Sequence, residues 1–322
     1  MAERMLRPLG LGDIFDEAFD LYKDNLLFFV LVGAVTAVPL QAVQGILSVH
    51  FARDMHSITG FFGGGTPDIT QIFSLLSVMA SGLAVLIPVC VVGFAVQSVA
   101  LAAATSARYL GEGATVGGVY RRTLRRIGPL ILTALLWSAF MGLGFALCYV
   151  GAIIPLTLLA FTAHAFAVEG RDGWRFWQAI SRSRALVNGL GGRVFGALCL
   201  LGLVYLILSV GIEMPLDYAL GALLALVPGA GALVTPTAGA DAFNVRSAII
   251  NQVSSGMADI IIAPFLMCVV TVLYFDLRVR KEAFDVERLA QGLQYAVLPW
   301  EQIYKSPPRP PRRVRKMGKT IT

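Results

Sequence analysis

Six long, nearly uninterrupted apolar stretches decide what this chain can fold into. They run from Leu26 to Val49, Ile72 to Ala107, Pro129 to Val150, Ile153 to Val168, Val194 to Ile212 and Ile249 to Phe275. Each helical residue rises about 1.5 Å, so roughly 20 apolar residues cross the ~30 Å hydrocarbon core of a bilayer. No water inside that core can serve open backbone groups, and repeated spans therefore imply an all-α bundle. Only 14% of the residues are charged and 57% are apolar. A soluble domain carries roughly 25% charged residues, which excludes a soluble globule. The second stretch would reach about 54 Å as one helix. Pro88 within it predicts a kink, because a mid-helix proline removes a backbone donor and clashes with the preceding turn.

The net charge of +6 does not imply nucleic acid, because the basic residues sit between spans rather than on a folded soluble face. Before the first span there are 3 Lys and Arg; the successive loops hold 1, 5, 0, 5 and 1, and 11 follow the last. Alternate sides thus carry 24 and 2. Cationic loops stay on the cytoplasmic side, so both termini are expected in the cytoplasm. That parity leaves Leu216 to Val227 as a re-entrant or interfacial external segment, since 12 residues are too few to cross. The Gly, Pro and Thr-rich stretch PGAGALVTPTAGADAF after it reads as an external loop. The four cysteines, Cys90, Cys148, Cys199 and Cys268, lie in apolar segments without metal-like spacing and read as core thiols. The polar, acidic first 25 residues do not resemble a cleaved signal peptide.

A short amphipathic pattern precedes the first, third and fifth spans, at about residues 13–24, 115–127 and 173–188. Phe15, Ala18, Phe19 and Tyr22 share one face, as do Val116, Val119, Tyr120 and Thr123, and then Phe176, Ala179, Ile180 and Ser183. The pattern fits three copies of a cytoplasmic interfacial helix followed by a helical hairpin, or a chance recurrence. The opposite face is acidic in the first helix (Asp13, Asp16, Glu17, Asp20, Asp24) and basic in the second (Arg121, Arg122, Arg125, Arg126) and third (Arg175, Arg182, Arg184). Either the acidic helix docks on the basic ones, or these are solvated faces that never meet.

Two passages carry a family resemblance. RPLGLGDIFDEAFDLYKDN at the first span and VLYFDLRVRKEAFDVERLA at the last exit resemble the membrane domain of bacterial glycerophosphoryl diester phosphodiesterases. TSARYLGEGATVGGVYRRTLRR and AVEGRDGWRFWQAISRSRALVNG are similar to that family's second and third cytoplasmic helices. The resemblance implies a six-span domain over about residues 6 to 290 in a bacterial plasma membrane. Only 47 residues follow the last span, against about 250 for a catalytic barrel, so the hydrolase activity is not carried over and no enzyme is expected. Residues 291–322 form a basic, Pro and Arg-rich tail, ending SPPRPPRRVRKMGKTIT, that is expected to be disordered.

An ionisable group inside a span is a functional candidate by default, which singles out Asp259 and His164. Asn251 and Gln252, with Ser254 and Ser255, make the approach to Asp259 the most polar stretch of any span. Asp259 either lines a watery path or lies in the outer interface. His164 is either a site residue or bonds a neighbouring helix near the interface. His50, Asp54 and His56 lack further ligands at recognisable spacing, so neither metal nor cofactor is expected. Asp276 and Arg280 are one turn apart and can pair. Arg278 and Arg280 otherwise read as an anchor meeting lipid phosphates. Anionic lipid is the expected partner of these arginines, of Arg121 to Arg126 and of the tail; a membrane-protein partner or a second copy is also open, and nucleic acid is not expected. The absence of catalytic groups and the basic interfacial helices favour a non-enzymatic membrane scaffold in envelope or lipid homeostasis. Proline-interrupted spans and the polar sixth span support a small-molecule or lipid transporter as the alternative, and an intramembrane enzyme would have to use Asp259 or His164.

Overall fold

The computed structural model describes residues 9–58, 69–146, 150–170, 176–226 and 245–282. Every regular element among them is helical, and six helical segments are long and apolar enough to cross a membrane. The chain is an all-α polytopic membrane protein. In order the helices are α1 (Leu11–Asp24), α2 (Leu26–Ile58), α3 (Ile69–Tyr109), α4 (Val116–Leu124), α5 (Ile127–Ala146), α6 (Val150–Leu158), α7 (Thr162–His164), α8 (Phe176–Val187), α9 (Gly191–Ala225) and α10 (Val245–Glu282). A π-helical turn, Ala165–Glu169, follows α7 directly. The order is three times a short amphipathic helix and then a hairpin: α1 before α2–α3, α4 before α5–α6, α8 before α9–α10.

Local signals set the short helices. The Asp13 carboxylate reaches back 3.0 Å to the Gly10 N–H, and the Thr115 hydroxyl accepts the Gly118 N–H at 3.3 Å, so each helix start has an orphan donor served. After α3, Gly111 at φ 75° closes the helix with paired bonds, Glu112 N–H to Ala107 and Gly111 N–H to Arg108; only glycine enters that left-handed conformation readily.

The three amphipathic helices sit at one end of the bundle, and we call this the capped end. There α1 lies along α10, burying Ile14, Ala18 and Leu21. Its Tyr22 hydroxyl donates to the Ile261 carbonyl at 2.9 Å. In α4, Val119, Tyr120 and Thr123 are buried, and the Tyr120 hydroxyl donates to the Val32 carbonyl at 2.5 Å. The buried Ala179, Ile180 and Ser183 of α8 pack toward the fourth span. Under this cap the C-terminal halves of α3 and α10 supply much of the core, with Leu101, Ala104, Tyr274, Phe275 and Leu277 at 0 to 1% exposure. Away from the cap the perimeter is apolar and open, as at Phe73, Leu143 and Ile207.

Two expectations change. Leu216 does not begin a separate re-entrant segment: α9 continues as one 35-residue helix through Pro215 to Ala225. The first span likewise stays helical to Ile58, where an external loop was expected; the side chains of His50, Asp54 and His56 lie outside the described residues. Among the described residues the principal neighbour of the acidic helix is α10, against which it buries Ile14, Ala18 and Leu21, while Asp13, Asp16 and Asp20 are exposed. The Gly, Pro and Thr-rich loop and the basic tail lie outside the described residues.

Candidate functional site

Between the spans lies a cavity of about 600 Å³, bordered by residues from all six crossing segments. Most of its wall is aliphatic or aromatic, including Leu40, Phe94, Leu130, Trp137 and Met267. Asp259 is the one acidic side chain among the residues that line it, and no Lys or Arg is among them. His164 also borders this cavity, so the two intramembrane ionisable residues expected from sequence come together around one space, from different spans.

Asp259 sits on α10 five residues before Pro264 and is half-buried. The Gln41 Nε2 of α2 donates to its Oδ2 at 3.1 Å. Gln41 in turn accepts from Gln252 Nε2, which makes a polar chain of Gln252, Gln41 and Asp259 across the α2–α10 contact. Next to it, Gln44 Nε2 donates to Cys90 Sγ at 3.1 Å. Asn251 is exposed and does not border the cavity. Ser254 is turned the other way and donates to Asp217 of α9.

His164 is wholly buried and its ring stacks on Tyr274 with centroids 5.4 Å apart. Nε2 lies 2.8 Å from the Thr271 hydroxyl, which lies 2.6 Å from the Thr105 hydroxyl. Thr271 also donates to the Met267 carbonyl at 2.7 Å, so the network is best served when His164 Nε2–H donates to Thr271. Nδ1 then is an acceptor, and it has no partner among the described residues. A buried acceptor without a partner is more readily tolerated than a buried N–H. The backbone break before His164 has its own support. Ser183 of α8 donates to the Leu158 carbonyl at 2.8 Å and accepts the Phe161 N–H at 3.1 Å. Non-helical backbone at membrane depth needs such internal partners.

The arginines expected at lipid phosphates are engaged inside the protein. Arg280 donates to both oxygens of Asp276 at 3.0 Å and to the Leu9 carbonyl at 2.8 Å. Arg193 joins the same carboxylate at 3.0 Å and the same carbonyl at 2.6 Å, and the Leu9 N–H closes the cluster on Asp276 at 2.8 Å. Arg278 faces Glu169 and Glu282 with 11% of its side chain exposed. Arg182 joins both acids at 2.6 and 2.5 Å. Burial pulls the Arg182 pKa down, but its bonds to Glu282 and Glu169 and their charges outweigh this and hold it above its ordinary value. The Tyr274 hydroxyl completes the group, donating to Glu169 at 2.5 Å. Arg121 and Arg122 of α4 and Arg125 just after it differ, being exposed, whereas Arg126 donates to the Gly170 carbonyl.

Among the described residues no group of three or more His, Cys, Asp or Glu is placed to hold a metal ion. Sequence reasoning missed Gln41 and Arg193 as positioned groups, and it placed Ser183 on the inward face of its helix without its bonds to the fourth span. The polar Gln41 and Gln44 in an apolar run were visible signals; Arg193 carried none. Compared with protein-family models, curated proteins and solved structures, the chain finds no match.

Proposed function

We propose that this chain is a non-enzymatic membrane carrier that takes a small amphipathic molecule into the cavity between its spans. One observation carries the reading: a cavity of about 600 Å³, mostly apolar and bordered by all six crossing segments, contains a single carboxylate, Asp259. Pockets of roughly 300–1,000 Å³ with apolar walls and few polar groups are the usual form of small-molecule sites. A carboxylate within a span is costly unless it has a task or a partner, and here its neutral neighbour Gln41 leaves the charge uncompensated.

The basic loops support a cytoplasmic side for the capped end, and the family resemblance supports a bacterial plasma membrane. The resemblance to the membrane domain of glycerophosphoryl diester phosphodiesterases is consistent with that reading. The exposed Arg121, Arg122 and Arg125 meet anionic lipid there, each worth about 1 kcal/mol. Those same arginines support the second reading, a scaffold whose partner binds the α4 face.

Native mass spectrometry of the protein, released gently from its own membrane, separates the two. A retained small amphiphile that disappears in Asp259→Asn is the expected result. A stoichiometric protein partner without a small molecule, lost when Arg121, Arg122 and Arg125 are neutralised, would replace the carrier by the scaffold.

A further inference from the structure

The cavity has a neighbour on the other side of the α2–α10 pair. A groove of about 550 Å³ runs between these helices, and its rim residues Val38, Ile46, Val253 and Met257 are 43 to 62% exposed, in the apolar perimeter that faces the bilayer. Gln41 borders both spaces. Its amide nitrogen holds Asp259 on the cavity side at 3.1 Å, and its oxygen accepts from Gln252, which lines the groove.

Two glycines make this arrangement possible. A Cβ at Gly256 would stand 3.1 Å from Gln41 Cγ, and one at Gly45 would stand 3.2 Å from Gln252 Cγ. The glutamine side chains thus occupy the room that larger residues would fill, and at this level side chains separate groove from cavity. Nearer the cap the helices approach closely, since a Cβ at Gly33 would stand 3.4 Å from Pro264 Cγ and 3.6 Å from the Ile260 carbonyl oxygen. Gln41 is the side chain common to the two linings, and side-chain rotations are fast compared with domain motions.

We propose that the cavity loads sideways from the bilayer between α2 and α10, with Gln41 as the gate, and that its ligand is a single-chain amphiphile with an ammonium head. This rests on the carrier reading. The head replaces the Gln41 amide on Asp259, the only charge on the lining, and a buried carboxylate is best served by a cation that also donates hydrogen bonds. The chain lies along the aliphatic wall. Entry through the groove keeps that chain in apolar surroundings throughout.

The test uses the full protein in liposomes and a pyrene-tailed dodecylamine, with energy transfer from Trp137, which borders the cavity. In Gln41→Cys/Gly256→Cys the gap suits a disulfide, since a Cβ at 256 lies 3.4 Å from that of Gln41, close to the usual 3.5–4.5 Å. Oxidised, this variant is expected to load at least about ten-fold more slowly than the same protein reduced. Ala42→Trp, at an exposed position lining the groove and not the cavity, is expected to slow loading without lowering final occupancy. Asp259→Asn should remove the signal. If the oxidised pair and Ala42→Trp both load at the wild-type rate while Asp259→Asn does not bind, the lateral route is wrong and the cavity site stands. If wild type takes up no probe, or Asp259→Asn binds it equally, the route and the carrier reading fall together.

Discussion

The two ends of this bundle use similar apolar helices in opposite ways. At the capped end, α3 and α10 are covered by three amphipathic helices, and the charged side chains set beneath them are paired: Asp276 with Arg193 and Arg280, Glu169 and Glu282 with Arg182 and Arg278. In the other half the same helices turn apolar side chains outward, border a partly open cavity, and leave Asp259 with a neutral glutamine. The first region is built for rigidity, since breaking a buried ion pair strands a charge. The second keeps a charge available. The division of labour between ends follows from where the charges find partners rather than from hydrophobicity, which is high in both.

Removing each carboxylate sharpens the contrast most. Asp276→Ala should destabilise the protein by about 3–5 kcal/mol, the cost of leaving buried arginine charge without its partner, read as a lower midpoint of thermal unfolding in detergent. Asp259→Asn is its counterpart, and an equal loss there would erase the distinction between the ends. Next in size is Ser183→Ala, which strands a carbonyl and an N–H at the break in the fourth span and should cost about 2–3 kcal/mol. A smaller effect, about 1 kcal/mol, is expected for Tyr22→Phe, which removes one hydroxyl from the Ile261 carbonyl.

That hydroxyl also makes a pH prediction. Burial raises the Tyr22 pKa above its ordinary 10.0, and burial raises that of Tyr120 against a lowering bond from Thr36. The unfolded chain therefore loses these protons first as pH rises, and stability present below pH 10 is lost above it as the folded values are approached. Tyr22→Phe/Tyr120→Phe should flatten the alkaline limb of a plot of midpoint against pH; an unchanged limb would remove the tyrosines from the cap's energetics. The smallest change in stability belongs to Asp259→Asn, within about 0.5 kcal/mol of wild type or stabilising, because it relieves a half-buried charge at a site with no cationic partner. Its effect should appear in ligand retention.

The amphipathic faces show where sequence patterns reach their limit. In α4 the pattern names Val119, Tyr120 and Thr123, and these are buried. In α1 it names Phe19, which is 54% exposed, and passes over Ile14 and Leu21, which are enclosed. Apolar residues at 14, 15, 18, 19, 21 and 22 offer two overlapping stripes at helical spacing, and the position of α10 selects between them. Leu216 to Val227 was misread for a similar reason. Length and charge parity called for a separate piece, yet Pro215 is accommodated within α9, which extends beyond one crossing.

The number of spans, the all-α class and the three short helices were determined by sequence alone, because a bilayer demands length, apolarity and internal backbone bonding, all of which are local properties of the chain. Asp259 and His164 were also visible there, as ionisable residues in apolar surroundings. Their sharing of one cavity, the bond from Gln41 to Asp259 across 218 positions, and the inward turn of Arg278 and Arg280 were decided by tertiary structure. A lone polar residue in a span has no periodicity to announce its partner, and an arginine at a membrane exit has the same local signature whether it meets a lipid phosphate or a carboxylate. Only the packing of distant helices distinguishes them.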